Sequence, residues 1–258
     1  MLSIAIEGLT PTIVDAVAAR LRGAMVRVAA ESAAILLLGD PPAPRSVVEC
    51  HLRDGKNVVI TPGPALTSQL LDDPRLRVVN PDRYLPSRQL IRQQLDAGKL
   101  GDPGLLRLHC WQPAARDATA ALLRNLDLAC WYFGKPPDLV YAVGASALQI
   151  HLGFPGGGMA LLDLVHDLPA TDAYHALSLI GSHGAAYADD HANMQILYRR
   201  EAVEAIHAGE GIAAWTALVQ HYVDGGADAS SWRDVLRVAD VVRESLASKQ
   251  AVALKGGV

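Results

Sequence analysis

The histidines and carboxylates that could bind a metal are concentrated in one short run. This run, SHGAAYADDH, contains His183, Asp189, Asp190 and His191. Imidazole and carboxylate groups suit a divalent metal, but a zinc site needs three or four ligands that converge. Asp190 and His191 are sequence neighbours, and on a strand they would point to opposite faces. We therefore expect no metal and interpret the run as a turn with polar surface groups. Ligand contact by Asp190 or His191 is the alternative.

A second candidate for proton chemistry is His166, which precedes Asp167 and follows the apolar run GGGMALLDLV. A His beside an Asp performs general acid–base work only if a substrate proton lies within hydrogen-bond reach. His166 is therefore a ligand candidate and no more. The glycines of the same run are not followed by a helix with Lys-Ser/Thr, as a phosphate loop would require. The G-x-S-x-G pattern of a serine hydrolase does not occur.

The turn after the first apolar strand is the place where a dinucleotide phosphate would bind. The pattern of Ser3–Ile6, a turn and an amphipathic helix from Thr12 is the opening of a Rossmann unit, which uses G-x-G-x-x-G. Here only Gly8 is retained, because Thr10 and Ile13 occupy the second and third glycine positions. Pro11 also lacks an N–H donor. We therefore expect a degenerate turn and no bound cofactor.

Two strand candidates, 25–30 and 34–38, follow each other too closely for a normal Rossmann domain. Two parallel neighbours need a crossover of about a dozen residues or more, so the usual intervening helix cannot be present. Either one of the strands is antiparallel or irregular, or a whole βα unit has been deleted. The first domain is therefore expected to be shortened.

Composition and charge exclude several classes of protein. Of the 258 residues 50% are apolar and 19% are charged, and the net charge of −4 comes without a basic block. A nucleic-acid groove needs clustered Lys and Arg, so none is expected. No apolar run reaches the roughly 20 residues of a membrane span, and the N-terminus lacks the features of a signal peptide. The three cysteines are far apart, which is typical of free thiols. We expect a cytoplasmic protein.

The second half of the chain begins with a long amphipathic helix, 116–134, which stops at Gly134 and is followed by the strand 139–143. Five more strand candidates follow at 147–152, 159–164, 174–180, 185–188 and 194–197, separated by glycine turns. Successive strands with short turns predict an antiparallel sheet. Helices are expected at 199–208, 212–223 and 231–248.

The segment LDLACWYFGKPPDLVYAVGA resembles the Gfo/Idh/MocA oxidoreductases, in which a helix precedes the first strand of the C-terminal domain. The run from 80 to 111 and the closing WRDVLRVADVVRESLAS are similar to the same family. The resemblance implies NAD(P)-dependent oxidation or reduction of a sugar or cyclitol hydroxyl. The family's Asp and His on the helix correspond to Ala120 and Arg124, and its Lys after a strand of the first domain corresponds to Pro62. The proton-handling groups are therefore replaced.

The fold expected from these features is α/β plus α+β. A shortened Rossmann-like domain with a parallel sheet, residues 1–80, precedes a Gfo/Idh/MocA-like domain, 81–258. The second domain has an open, mainly antiparallel sheet flanked by helices, with the final helix 231–248 packing back at the junction. The resemblance also implies that the open sheet face is often an oligomer interface, and an exposed apolar sheet face needs a partner.

These replacements favour a pseudo-oxidoreductase that works as an interaction or regulatory subunit. The expected partner is a second copy or a related oxidoreductase, bound through the C-terminal sheet, and a sugar-like or anionic small molecule is the expected ligand. One alternative is an NAD(P)-dependent sugar or cyclitol dehydrogenase with a divergent or partner-completed site, and another is a cofactor-free sugar-binding or sugar-modifying protein. Fold analogy alone does not choose between them. The ligand candidates are Arg83, Arg124, His166, Asp190 and His191.

Overall fold

The computed structural model describes residues 1–168, 173–189, 201–226 and 231–254. The strands in this part of the chain are β1 (Leu2–Glu7), β2 (Ala24–Val26), β3 (Ala34–Leu37), β4 (Asn57–Ile60), β5 (Leu76–Val78), β6 (Pro103–Pro113), β7 (Leu139–Gly144), β8 (Ala147–Gly153), β9 (Met159–Leu168), β10 (Tyr174–Gly181), β11 (Ala185–Asp189) and β12 (Val252–Ala253). The α-helices are α1 (Pro11–Ala18), α2 (Arg45–Arg53), α3 (Pro86–Asp96), α4 (Ala118–Phe133), α5 (Glu201–Val223) and α6 (Trp232–Ser248). The strand expected at 194–197 lies outside the described residues.

The chain divides into two compact units. The first contains Met1–Pro86 and Glu204–Ala229, and the second contains Ser87–Val203 and Ser230–Val258. From the sequence, residues 1–80 and 81–258 were expected to be the two domains. The division at Pro86 lies close to that expected boundary, and in addition the segment from Glu204 is counted with the first unit.

The first unit is built on a five-stranded parallel sheet in the order β2-β1-β3-β4-β5. Strands β2 and β3 lie on opposite sides of β1, so they are not neighbours. β2 pairs with the first half of β1, up to Ile4 opposite Val26, and β3 begins at that level, with Ala34 opposite Ile4. Because of this stagger the chain does not have to travel back along the sheet, and a one-turn 3-10 helix, Ala29–Glu31, completes the link. The usual helix between these strands is absent, as expected, whereas the alternative of an antiparallel or irregular strand was wrong, because both strands pair in parallel with β1.

Helix α5 supplies part of the core of the first unit, although it comes late in the sequence. Leu218 and Val219 are fully buried in the same cluster as Ile4, Leu36 and Val59 of the sheet. Trp215, Tyr222 and Val223 of α5 pack against this cluster. The late helix therefore covers one face of the parallel sheet together with α1.

The helices expected at 199–208 and 212–223 are joined in the structure, since α5 runs from Glu201 to Val223 without a break. The gap between the two expected helices contains glycines at 209 and 211. A glycine weakens a helix by about 1 kcal/mol relative to alanine but does not stop it, and the surrounding residues are strong helix formers. The part of the prediction at 199–200 lies outside the described residues.

The second unit contains a seven-stranded sheet in the order β11-β10-β6-β9-β8-β7-β12. β6 and β9 pair in parallel, and the other neighbouring strands pair antiparallel. The expected combination of a parallel sheet with a mainly antiparallel one is therefore confirmed.

One face of this second sheet is covered by helices α4 and α6, which also pack on each other. Side chains at alternate positions on this face are buried, for example Leu108, Ile150 and Leu162. α4 begins at an N-cap, Asp117, whose side chain accepts a hydrogen bond from Ala120 N at 2.7 Å, and it ends at Gly134 in the left-handed conformation. The stop at Gly134 was predicted from the sequence, and the cap at Asp117 was not.

The other face of the second sheet, called the open face below, carries the intervening side chains. It includes the partly or largely exposed apolar side chains Leu139, Tyr141, Val143, Met159, Ile180 and Tyr187.

Within the described ranges, no helix combines the length and the apolar character that a membrane crossing requires.

Candidate functional site

The loops at the carboxyl ends of the parallel strands form the first candidate site, because ligands of open α/β sheets bind at that edge. Gly8 follows β1, Thr61 and Pro62 follow β4, and Arg83 follows β5. Among the positions considered from the sequence, these residues therefore lie at the same edge of the parallel sheet. Ala120, Arg124 and His166 belong to the second unit. Asp190 and His191 lie outside the described residues.

The turn after β1 requires glycine at its first position for two reasons. Gly8 has φ +89°, a conformation that L side chains rarely adopt. A Cβ at Gly8 would also lie 2.3 Å from the carbonyl oxygen of Leu38. In turn, a Cβ at Gly39 would lie 2.8 Å from the Gly8 oxygen. The ends of β1 and β3 therefore approach so closely that there is room only for backbone.

The second glycine position is occupied without strain. Thr10 is the N-cap of α1 with φ −65° and ψ 149°, which any L residue adopts. Its carbonyl accepts hydrogen bonds from Ile13 N and Val14 N, both at 3.0 Å. Thr10, Pro11 and Thr12 are exposed, so the start of the helix is accessible. The backbone path of the turn therefore survives the loss of this glycine.

A phosphate at this turn would be held by fewer groups than in a glycine-rich loop. The first N–H groups of a helix have no partner within it, and its N-terminus favours negative charge. Pro11 removes one such N–H, which leaves the N–H of Thr12 and the hydroxyls of Thr10 and Thr12 as donors. Ile13, at the third glycine position, packs against the hydrophobic core of the first unit. The residues present thus fit a phosphate group, with hydroxyls in place of one amide.

The position that the resemblance assigns to a lysine is part of a tight turn in the first unit. Thr61 is buried, and its hydroxyl donates a hydrogen bond to the Gly39 carbonyl at 3.1 Å. A Cβ at Gly63 would lie 2.4 Å from Cγ of Pro42. Pro62, between Thr61 and Gly63, is buried and carries no group that can exchange a proton. This edge is built for close packing.

Arg83 lies in a one-turn 3-10 helix, Pro81–Tyr84, that follows β5. It is 6% exposed, and the Asn80 side chain stabilises the turn by accepting a hydrogen bond from Asp82 N at 3.1 Å. The neighbouring Tyr84 ring lies 5.7 Å from the His221 ring of α5, within the same unit. Arg83 is thus a buried residue of the first unit rather than an exposed cation.

A second arginine of the first unit affects a tyrosine of α5. Arg77 on β5 lies over the Tyr222 ring, 5.6 Å from its centroid, and donates a hydrogen bond to the Gly226 carbonyl at 3.2 Å. Burial raises the pKa of the Tyr222 phenol above its usual value, and the nearby guanidinium opposes part of that rise. Tyr222 therefore remains neutral through the physiological range.

In the second unit, the helix positions that the resemblance assigns to Asp and His are both buried. Ala120 is 1% and Arg124 is 8% exposed, and both lie on α4 one helical turn apart. An alanine offers no proton-transfer group. A guanidinium stays protonated at any working pH and cannot act as a base. The two positions therefore cannot take a proton from a hydroxyl.

The remaining histidine candidates do not converge on a site. His166 is partly exposed near the end of β9, and its backbone N–H donates to the Ser146 carbonyl at 3.4 Å. His183 lies in the turn after β10, where its backbone N–H donates to the Leu100 carbonyl at 3.0 Å. Among the described residues, no three His, Cys, Asp or Glu side chains are placed to hold a metal.

The open face carries a polar cluster that was not predicted from the sequence. Nδ1 of His109 lies 3.0 Å from Oδ2 of Asp163, and Nε1 of Trp111 donates to the same oxygen at 3.4 Å. The Trp111 ring in turn lies 5.1 Å from the Tyr174 ring. His109 and Trp111 are two residues apart on β6, so the spacing placed them on one face. Their partner Asp163 is 52 residues further along the chain from Trp111, and no local pattern indicates that pairing.

No protein-family model matches the chain, and no curated protein sequence does so either. Solved structures are similar over nearly the whole length. A myo-inositol dehydrogenase from Corynebacterium glutamicum has 15% sequence identity and a TM-score of 0.71, with 100% of both chains covered. For the myo-inositol 2-dehydrogenase from Lactobacillus plantarum the identity is 14%, the TM-score 0.71, and the coverage 98% of this chain and 99% of that one. A scyllo-inositol dehydrogenase from Lactobacillus casei has 14% identity and a TM-score of 0.68, with 99% of this chain and 100% of that chain covered.

One of these structures corrects the sequence analysis. The Lactobacillus casei enzyme was solved with bound NAD(H) and scyllo-inositol. The prediction that no cofactor is expected was therefore wrong, because a neighbour with this fold points to a nucleotide cofactor. The degenerate glycine pattern was given too much weight, since Thr10 keeps an ordinary backbone conformation and the start of α1 stays accessible. The architecture is now clear: this chain has the two-domain fold of the Gfo/Idh/MocA oxidoreductases.

Proposed function

We propose that this protein is a nucleotide-binding, dehydrogenase-like protein that acts in the cytoplasm as an interaction or regulatory subunit. The observation that carries the proposal is the set of residues Pro62, Ala120 and Arg124 at the positions where the resemblance expects proton-handling groups. Oxidation of a hydroxyl needs a base for its proton while the nicotinamide ring takes the hydride. None of these three side chains can serve as that base.

The β1–α1 turn supports the nucleotide-binding part of the proposal. Gly8 keeps the close approach of β1 and β3, and Thr10 and Thr12 offer hydroxyl donors at an accessible helix start. Helix N-termini bind phosphate through free N–H groups and the helix dipole. The nucleotide would be retained for stability or signalling rather than for turnover, and a sugar-like or anionic molecule would be the second ligand.

The second candidate is an NAD(P)-dependent sugar or cyclitol dehydrogenase whose active site a partner chain completes. It is favoured by the similarity to inositol dehydrogenases over the full length of both chains. The two candidates differ in one measurable respect. The first binds a nucleotide without turnover in any assembly, whereas the second turns over once the correct partner is present.

Calorimetric titration with NADH and NADPH is expected to show saturable binding of at least one of them. Replacing Thr12 with Asp should weaken binding about tenfold or more, because a carboxylate at the helix start repels phosphate and ten-fold corresponds to about 1.4 kcal/mol. Asp54→Asn serves as the control and should leave binding unchanged. It also changes the net charge by one unit, but at the C-terminus of α2.

The same preparation should not oxidise myo-inositol, scyllo-inositol or glucose with either nucleotide. Turnover by the purified chain alone would overturn the subunit role. The absence of any nucleotide binding would overturn the nucleotide part. Binding without turnover is the expected result.

We also expect the chain to assemble through the open face. Sedimentation at tens of micromolar should show a dimer or a larger species, because the open face exposes a row of large apolar side chains. Tyr187→Lys, at a position that is 70% exposed on that face, should shift the population to monomer. Leu90→Lys on α3, where the side chain is 56% exposed, is the control and should leave the assembly intact. A wild-type monomer at this concentration would contradict the assembly.

A further inference from the structure

A hollow of about 200 Å³ lies on the open face over β10, between β6 and β11. Its floor is Ala176, a small residue on β10 that is 8% exposed. Pockets for drug-sized ligands have volumes of about 300–1,000 Å³, so this hollow has room for a single ring. The side chains around the floor decide which kind of ring fits.

Two aromatic rings form the wall at one end of the hollow. Trp111 on β6 and Tyr174 on β10 are partners in register, and their ring centroids lie 5.1 Å apart at an interplanar angle of 54°. The indole Nε1 of Trp111 donates a hydrogen bond to Asp163 on β9, on the side of β6 away from the hollow. Aromatic side chains supply large apolar contact area. This wall therefore suits the C–H face of a ring rather than its polar edge.

Polar groups occupy the rest of the rim. Nδ1 of His109 lies 3.0 Å from Oδ2 of Asp163. Because a carboxylate only accepts, Nδ1–H of the neutral imidazole donates to it, and Nε2 is left as an acceptor. At the end away from the aromatic wall, Ser178 and Tyr187 are partners in register, and each carries a hydroxyl that donates or accepts. The hollow thus combines an apolar wall with an acceptor and two hydroxyls.

Charges of both signs lie beside the hollow among the side chains that the structure describes. Asp163 is the register partner of His109 on β9, and Arg107 on β6 is the register partner of Ser178 on β10. The carboxylate repels an anion in the hollow, and the guanidinium repels a cation. An uncharged ligand avoids both penalties.

We propose that this hollow binds a neutral, polyhydroxylated six-membered ring, a cyclitol or a pyranose sugar. The C–H face of the ring packs on Trp111 and Tyr174, and its hydroxyls form hydrogen bonds with Nε2 of His109 and the hydroxyl of Ser178. The inference rests on the sugar-like second ligand of the proposed function. It adds the place where that ligand binds, on the sheet face opposite α4.

The hollow also connects ligand binding with assembly. Tyr187 lines the hollow, and it is the residue whose replacement is expected to disrupt assembly through the open face. A ring in the hollow and a second copy over it therefore exclude each other. By linkage, the ring shifts the population toward monomer.

Saturation-transfer NMR without nucleotide tests the site, with scyllo-inositol, myo-inositol and glucose as probes. At least one should bind the wild-type protein, and the tightest of them identifies the ring as a cyclitol or a sugar. Ala176→Met fills the floor of the hollow and should weaken binding about tenfold or more. Ala147→Met is the matched control, because Ala147 is an exposed residue of β8, two strands from β6, and it should leave binding unchanged.

Ser178→Ala removes one hydroxyl with little change of shape and should weaken binding about fivefold, as expected for one lost hydrogen bond. Glucuronate, a pyranose with a carboxylate, should bind more weakly than the neutral rings. Three results would each overturn the inference: no binding of any neutral ring, binding that Ala176→Met and Ser178→Ala both leave unchanged, or tighter binding of glucuronate.

In sedimentation, a saturating amount of the bound ring should shift the wild-type protein toward monomer. An assembly that the ring leaves unchanged would overturn the exclusion. A wild-type monomer without the ring would refute the assembly, and the NMR result would still decide the ligand site. Because no nucleotide is present, these results are independent of the nucleotide binding and turnover that test the proposed function.

Discussion

The Leu218→Ala variant is expected to lose about 3 kcal/mol of stability, because a fully buried leucine is replaced by a cavity in the core of the first unit. Leu218 lies on α5, more than 130 residues after the last strand of the parallel sheet it packs on. The loss should appear in urea unfolding followed by circular dichroism. Hydrogen exchange should show that peptides from β1 and β3 lose protection together with α5.

Leu90→Ala is the matched control, since it removes the same atoms from a helix position that is 56% exposed. That change should stay within about 0.5 kcal/mol. If Leu218→Ala cost no more than the control, or if β1 and β3 kept their protection while α5 lost it, then α5 would not be an integral part of the first unit.

This helix illustrates what a sequence pattern leaves open. The apolar residues of 212–223 indicated a helix, and the helix is present. Which sheet it covers is decided by tertiary packing between distant segments, and no local signal reports that. Trp215 and Val219 are as compatible with one sheet as with the other until the fold brings them to Ile4 and Leu36.

Local signals succeeded where a helix end depends on one or two residues. Gly134 ends α4, as the sequence predicted, because a stop signal of this kind is short-range, and the structure adds the N-cap at Asp117. The link between β2 and β3 was expected to lack a helix, which it does, but the alternative of an antiparallel strand there was wrong, because strand direction depends on long-range pairing. The rule that parallel strands need a long crossover holds for neighbours aligned end to end, whereas Val26 and Ala34 share one level with Ile4 between them.

The candidate site was only partly predictable. The residue types at Pro62, Ala120 and Arg124 are read directly from the sequence, and the structure adds that Ala120 and Arg124 are buried. The dihedral angles of Thr10 cannot be read from the sequence. The loss of the second glycine was therefore interpreted as the loss of the nucleotide site. A glycine pattern is a sufficient device for close phosphate approach. Whether it is necessary depends on the backbone angles that the turn adopts.

The Gly8→Ala variant is expected to lose more stability than a glycine replacement that only places alanine in the left-handed backbone conformation. Two costs add at this position. One is the left-handed backbone conformation at φ +89°, and the other is the contact of 2.3 Å between the new Cβ and the Leu38 oxygen. A methyl group cannot rotate away from a backbone oxygen, so the end of β1 would have to move from β3.

Gly55→Ala is the matched control because it isolates the first cost. Gly55 has φ +77°, and a Cβ there would meet nothing within 4 Å. Its replacement should cost about 1 kcal/mol, the usual penalty of the left-handed region. Gly8→Ala should cost about 3 kcal/mol, since displaced backbone adds strain of the size seen at overpacked sites.

Nucleotide binding should separate the two variants more sharply than stability does. Moving the end of β1 shifts Thr10 and the start of α1, so Gly8→Ala should abolish the calorimetric signal with NADH and NADPH, while Gly55→Ala keeps it. Both measurements are made at a temperature where urea unfolding shows each variant to be folded. Equal losses of stability would mean that the Leu38 contact relaxes freely. Retained binding in a destabilised Gly8→Ala would mean that the nucleotide is held away from the β1–α1 turn.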